Sequence, residues 1–282
     1  MIKHLVPTNL NEALEMLSKH NCYIMSGGTD LMVQKHVSTG LLPYFDRDVI
    51  YVMNLKELDY VKKDEKGIHI GATTRFVDIE KSPLVPEIYK IVIREIASNN
   101  IRNMATMAGN IANASPAGDS LVPLVLNDAS VILSSVNGDR EVLVRDFVLG
   151  VRKIDRKQNE MITEIILKPQ ELNYFYRKVG ARKAESITKV SLMGGYKVEG
   201  GIIKDLRIAF GSVAIKVVRS IELENEYKGL KVKELDVDSV IKDYSPLVTP
   251  ITDQRSNKEY RHKVAMNLLR KFLEEVKGGR NE

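Results

Sequence analysis

Residues 101–124 read "IRNMATMAGNIANASPAGDSLVPL", from Ile101 to Leu124, with Ala, Thr, Gly, Asn or Ser at nearly every position in the middle of the run. Side chains this small are not expected to pack a core of their own. They suit a ligand lying along the backbone, bonded by amides and by Thr106, Asn110 and Asn113. About eighty residues upstream, "MSGGTD" (Met25 to Asp30) follows the short apolar strand "CYIMS" and precedes "LMVQKH". Two adjacent glycines let amides converge on an oxygen, and Ser26 and Thr29 add hydroxyl donors. No Gly-Lys-Ser/Thr follows and the spacing is not G-x-G-x-x-G, so neither common nucleotide fingerprint applies. Taken alone, this stretch reads first as a plain β-turn. Two phosphate-capable loops in one domain point to an extended ligand with a diphosphate at its middle, a dinucleotide. Asp119, at the end of the second loop, is placed to bind hydroxyls of a ribose or ribityl chain.

The chain has 282 residues, enough for two domains of about 100–200 residues each. Its hydrophobic fraction of 44% and charged fraction of 28% are those of a folded globular protein. No apolar run approaches the roughly 18 residues that a membrane span needs. The start, "MIKHLVPTNLNEALEML", lacks a basic region followed by an apolar stretch and a cleavage site, so a cytoplasmic location is expected. The net charge of +5 is a small excess of 42 basic over 37 acidic residues, scattered along the chain. With no zinc-finger, RRM or basic-helix signature, this charge reads as solvated surface, and no nucleic-acid partner is expected. Cys22 is the single cysteine, which excludes an intrachain disulfide, a structural zinc site and an iron–sulfur cluster on this chain. Cys22 itself reads as a small hydrophobe beside a buried strand. His4, His20, His36, His69 and His262 fall in no nucleophile motif or metal-ligand spacing, so no catalytic residue and no metal site is assigned.

The opening segment reads β-α-β, with a helix over "LNEALEMLSKH" that buries Ala13, Leu14 and Leu17 and is capped by Asn9 with Glu12 three residues on. Further strands are expected at "CYIMS", at "YVMNL" (Tyr51 to Leu55) and at "GIHIGATT" (Gly67 to Thr74), with Thr74 capping a helix over "RFVDIEKS". A helix presenting Ile88, Ile91, Val92 and Ile96 follows. "DSLVPLVLNDASVILSS" reads as a short helix and a strand, and Asn137–Gly138 as a hairpin turn before "REVLVRDF". After the strand "EMITEIILKP" three antiparallel strands are expected, the last two joined at Glu199 to Gly201. The end is a helix with Val264, Leu268, Leu269, Phe272 and Val276 inward, stopped by Gly278–Gly279. The main boundary falls near 168–172.

"SGGTDL" together with "IRNMATMAGNIANASPAGDSLVPLVLNDASV" resembles the FAD-binding subunit of the molybdenum hydroxylases, the medium-subunit family of xanthine dehydrogenase and carbon monoxide dehydrogenase. "YRKVGARKAESITKVS" (Tyr176 to Ser191) resembles the segment opening that family's second domain. The resemblance runs through the whole chain, and the second loop is its most specific part. It implies an α+β fold. A two-subdomain FAD-binding domain of the vanillyl-alcohol-oxidase (PCMH) type would occupy residues 1–168, with subdomains of about 1–55 and 56–168. A C-terminal domain, a three-stranded antiparallel sheet plus helices, would fill 169–282.

By the same resemblance, Ile24, Met25, Ser26, Gly27, Gly28, Thr29, Asp30 and Leu31 would wrap the FAD diphosphate, through the amides of Ser26 to Thr29. Ala105, Thr106, Gly109, Asn110, Ala112 and Asn113 would form the second half of the clamp, with Gly118 and Asp119 closing on the ribityl or adenosine hydroxyls. Ile162 would lie against the adenine or the isoalloxazine. Lys178 would approach the flavin ring, where a cation beside the N1/C2 carbonyl edge stabilises anionic reduced flavin; the alternative for Lys178 is a surface cation on a strand. Noncovalent FAD is expected, since no His or Cys lies in either loop. The family pairs glycines in the second loop where this chain has Ala108–Gly109, a change compatible with the clamp if residue 108 keeps a negative φ. The 4-hydroxybenzoyl-CoA reductase branch adds a cysteine-rich insertion for a further iron–sulfur cluster, which one cysteine cannot supply.

The role implied is electron relay. Electrons from substrate oxidation at a molybdopterin-binding large subunit would pass through 2Fe-2S clusters on a small subunit to FAD on this chain, and on to NAD or another acceptor. No acid–base set is needed for that task. The alternatives are a stand-alone FAD-dependent reductase of the same fold and a colourless, non-enzymatic anion- or nucleic-acid-binding module.

Overall fold

The structure, a computed structural model, describes residues 2–278. The chain divides into two compact units. One comprises residues up to Ser115 together with Asp128–Pro169; the other comprises Pro116–Asn127 with the chain from Gln170 onward.

In the first unit β1 (His4–Leu5), β2 (Cys22–Met25) and β3 (Asp48–Tyr51) form a parallel sheet in the order β1-β3-β2. The helix over Leu10–Lys19 crosses between β1 and β2 and buries Ala13, Leu14 and Leu17. Asn9 accepts from the Glu12 amide at 2.9 Å, and the Glu12 carboxylate accepts in return from the Thr8 amide at 2.7 Å, which fixes the helix start. The strand expected at Tyr51 to Leu55 instead ends at Tyr51. Val49 and Ile50 are both fully buried, as a parallel strand covered on both faces requires, and Val52 turns its amide to the Met25 carbonyl at 2.9 Å.

A second, antiparallel sheet contains β4 (Val61–Lys63), β5 (Ile68–Gly71), β6 (Ser130–Ser135), β7 (Gly138–Leu143) and β10 (Met161–Leu167), ordered β4-β5-β10-β6-β7. The short pair β8 (Val148–Gly150) and β9 (Lys153–Ile154) precedes β10. The β6–β7 hairpin turns at Asn137–Gly138 as expected, with Gly138 at φ 109°. Thr74 does not cap the next helix. Its hydroxyl accepts from the Tyr60 amide and donates to the Tyr60 carbonyl, leaving Arg75 before the helix Phe76–Lys81 without a side-chain cap. The following helix is shorter than its apolar spacing suggests, Glu87–Arg94, so Ile96 lies beyond it and Ile91 is 39% exposed. Ile96 is nonetheless buried, as expected, and Tyr89 and Ile93 join Ile88 and Val92 in the core.

His69 on β5 bridges Glu164 on β10 and Asp64 in the β4–β5 turn, 2.8 Å from each. Tyr60 donates to the other Glu164 oxygen at 2.6 Å. Burial disfavours the imidazolium, but the bonds and charges of Glu164 and Asp64 outweigh it and raise the His69 pKa above 6.5.

In the second unit β11 (Asn173–Val179), β12 (Val190–Glu199) and β13 (Ile202–Gly211) form an antiparallel meander. Gly200 and Gly201, at φ 57° and 75°, turn β12 into β13. The helix Lys258–Gly278 packs on β12 so closely that a Cβ on Gly194 would meet the Phe272 ring at 2.3 Å. Leu269, Phe272 and Val276 are buried as expected, Val264 and Leu268 only partly, and Ala265 and Leu273 complete the stripe. The helix includes Gly278; Gly279 lies outside the described residues. The helix Leu121–Leu126 is buried throughout and belongs to this unit, where Val125 O accepts from Arg219 at 2.8 Å.

Folding raises the His69 pKa, so its stabilising contribution is complete below the unfolded value and is lost as pH rises through the folded one. The melting temperature should fall between about pH 6 and pH 8 more steeply in the wild type than in His69→Gln. Parallel pH profiles would show that the bridge carries no charge.

Candidate functional site

The two small-residue stretches meet backbone to backbone in the first unit. A Cβ on Gly27 would lie 1.9 Å from the Met104 carbonyl oxygen, so position 27 admits no side chain. Gly28 follows at φ 69°, and its carbonyl accepts from Met32 to start the helix Leu31–Lys35. Among the described residues, the amides of Gly27, Gly28 and Thr29 meet no acceptor.

The second stretch is not a loop throughout. It forms the helix Met107–Asn113, and Met107, Ala108 and Ile111 are buried, so the run does pack through part of its side chains. Thr106 caps it, accepting from the Gly109 amide at 3.0 Å and donating to the Ser26 hydroxyl at 3.3 Å. Ala108 is helical and keeps a negative φ. Ala114 ends the helix in the left-handed region at φ 45°.

Between the stretches lies a cavity of about 420 Å³, within the roughly 300–1,000 Å³ typical of small-molecule sites. Every residue from Ile24 to Leu31 lines it, as do Ala105, Thr106, Gly109, Asn110, Ala112, Asn113 and Ile162. A polar network ties the two walls. Arg152 donates to Asp30 at 2.8 Å and to Asn113, while Gln34 donates to Asp30 and, at 3.0 Å, to Asn113.

Gly118, Asp119 and Lys178 lie in the second unit. Lys178 donates to Asp119 at 2.8 Å, and the Thr188 hydroxyl donates to the other carboxylate oxygen. The Lys178 and Asp119 side chains are only 7% and 9% exposed, so Lys178 is not a surface cation. Burial pushes the Asp119 carboxyl above its ordinary range, against the pull of Lys178 and Thr188.

Sequence reasoning did not find Gln34, Arg47, Arg152 and Arg156, which also line the cavity. Their charges look like scattered surface until strand pairing gathers them; Arg47 is carried in by the parallel register that sets Asp48 beside Cys22. Cys22 is 3% exposed, and burial and the Asp48 charge raise its thiol pKa, so it sits here as an inert wall residue. Histidines line none of the cavity among the described residues; His20 pairs with Asp48 and His262 with Ser245.

Comparison with known proteins places this geometry. Residues 1–170 match the FAD binding domain in molybdopterin dehydrogenase, and residues 175–276 the CO dehydrogenase flavoprotein C-terminal domain. The chain is 32% identical over 273 residues to the glyceraldehyde dehydrogenase medium chain of Sulfolobus acidocaldarius, covering 95% of each. It is 26% identical to the xanthine dehydrogenase FAD-binding subunit of Escherichia coli O157:H7, covering 95% of this chain and 93% of that one. Its fold matches a chain of the reconstituted CO dehydrogenase from Oligotropha carboxidovorans with a TM-score of 0.88 at 22% identity, covering 99% and 98%. The chain therefore belongs to the FAD-binding medium subunits of the molybdenum hydroxylases, oxidoreductases of the xanthine and carbon monoxide dehydrogenase type. Among the described residues no helix is long and apolar enough to cross a membrane.

Removing one member of a buried ion pair leaves the other charge unpaired. Lys178→Met should destabilise the protein by about 3–5 kcal/mol, and adding Asp119→Asn should recover part of that loss. Additive losses in denaturant unfolding would contradict a coupled pair.

Proposed function

We propose that this chain relays electrons within a multisubunit molybdenum hydroxylase. It would take them from 2Fe-2S clusters on a small subunit, beside a molybdopterin-binding large subunit, and pass them from FAD to NAD or another acceptor. The observation that carries this reading is the set of amides at Gly27, Gly28 and Thr29 without acceptors, on the wall of a cavity whose other wall is the helix capped by Thr106. Such amides suit the oxygens of a diphosphate. Arg152, on the same cavity wall, supplies a cation for the dianionic group.

Bound FAD supplies the ability to take up electrons singly and release them in pairs. The chain's own residues hold the cofactor noncovalently and keep its diphosphate in place. Ser26 and Thr106, already bonded to each other, offer hydroxyls beside the amides. Asp30 is the only carboxylate on the cavity wall among the described residues, and Arg152 engages it. This supports a relay over a stand-alone reductase, which needs its own acid–base group. We further propose residues 1–168 as the flavin domain, with subdomains of about 1–55 and 56–168 that follow the two sheets, and 169–282 as the C-terminal domain.

Gly109 is the cleanest probe of the site. Position 27 has no room for any side chain and position 28 is left-handed, whereas a Cβ on Gly109 meets only the Thr106 hydroxyl, at 3.0 Å. The purified wild type should be yellow and release FAD on heating. Gly109→Val should stay folded and lose the flavin bands, while full flavin occupancy in that variant would remove the helix Met107–Asn113 from the site.

A further inference from the structure

Two arginines on the cavity wall have no carboxylate bonded to them among the described residues. Arg47 stands level with the start of β2, because its neighbour Asp48 pairs with Cys22. Its guanidinium sits over the Tyr23 ring, 4.1 Å from the centroid, and donates to the Asn21 side chain and the Tyr23 hydroxyl at 3.4 and 3.3 Å. Arg156 gives one nitrogen to the carbonyls of Lys157, Gln158 and Glu160, at 3.1, 3.1 and 2.7 Å. Burial first, and then the charge of Arg47, depress its pKa. Two other arginines of the unit are spent on acids: Arg152 on Asp30, and Arg140 on Asp155 and Glu160. Two adjacent cations, partly withdrawn from water and facing one cavity, leave most of their donors unused.

These arginines lie away from the glycine turn. β2 rises about 3.3 Å per residue, so Tyr23 and Ser26 are about 10 Å apart along the strand, which is on the scale of the adenosine half of FAD. We propose that Arg47 and Arg156 form the subsite for that half and are the residues by which this chain selects FAD over FMN. The inference rests on the FAD reading above. FAD exceeds FMN by an adenylate group, whose base has a flat face and three ring-nitrogen acceptors and whose ribose carries two hydroxyls. A guanidinium is planar, stacks on bases and carries five donors, so it matches the face, the ring nitrogens and the sugar together. Tyr23 steadies Arg47 from one side, and Ile154 and Ile162 give the base apolar wall. FMN ends at its phosphate and does not reach this end of the cavity.

The test titrates the full chain, freed of flavin, with FAD and separately with FMN, reading binding from flavin fluorescence and folding from the melting temperature of the flavin-free protein. The wild type is expected to prefer FAD. Arg47→Leu should lose about tenfold or more in FAD affinity and keep its affinity for FMN. Arg47→Lys, which retains the charge but not the plane, should show the same selective loss, and it decides the question alone if Arg47→Leu does not fold. Equal losses for both flavins, an unchanged FAD affinity, or a wild type without FAD preference would each overturn the assignment. A wild type that binds neither flavin would overturn the FAD reading itself, a result distinct from the other three.

Discussion

Position 27 has no room for a side chain, and the site in the first unit is organised by that constraint. The carbonyl of Met104 occupies the space a Cβ would fill, so the turn after β2 and the start of the second stretch run in direct backbone contact. Everything useful about the cavity follows from this approach. The turn can swing at Gly28 because that residue takes φ 69°, and its amides meet no acceptor among the described residues. The hydroxyls of Ser26 and Thr106 then come within 3.3 Å of each other. A site made of backbone is rigid and chemically plain, which suits holding a cofactor better than attacking a substrate.

Charge completes what the backbone begins. Asp30, Gln34, Asn113 and Arg152 lace the two stretches together, so the walls do not rely on a ligand to stay close. Arg47 and Arg156 bond no carboxylate among the described residues. The second unit solves a different problem. Its Asp119–Lys178 pair is withdrawn from water and satisfied from both sides, with Thr188 on the remaining carboxylate oxygen.

Composition made the two small-residue stretches legible, because glycines and small polar residues at this density serve few other ends. The three-stranded meander and its Gly200–Gly201 turn were legible for a similar reason, as alternation and turn chemistry are local. What the sequence hid was tertiary. It could not show that Met107, Ala108 and Ile111 would form a buried helix face inside the small-residue run. Nor could it show that the run from Pro116 onward belongs to the second unit while the part before it lines the cavity. Thr74 and Arg47 fail in the same way: the first bonds Tyr60 across a turn rather than the next helix, and the second reaches the cavity only through strand register.

Hydrogen exchange at three amides tests the central claim most directly. Gly27, Gly28 and Thr29 find no acceptor within the described chain, so in the flavin-free protein their amides should exchange quickly. Added FAD should slow all three, together with the Gly109 region, if the diphosphate sits in the clamp. Exchange at Gly27 to Thr29 that stays fast with FAD fully bound would place the diphosphate elsewhere and contradict the account.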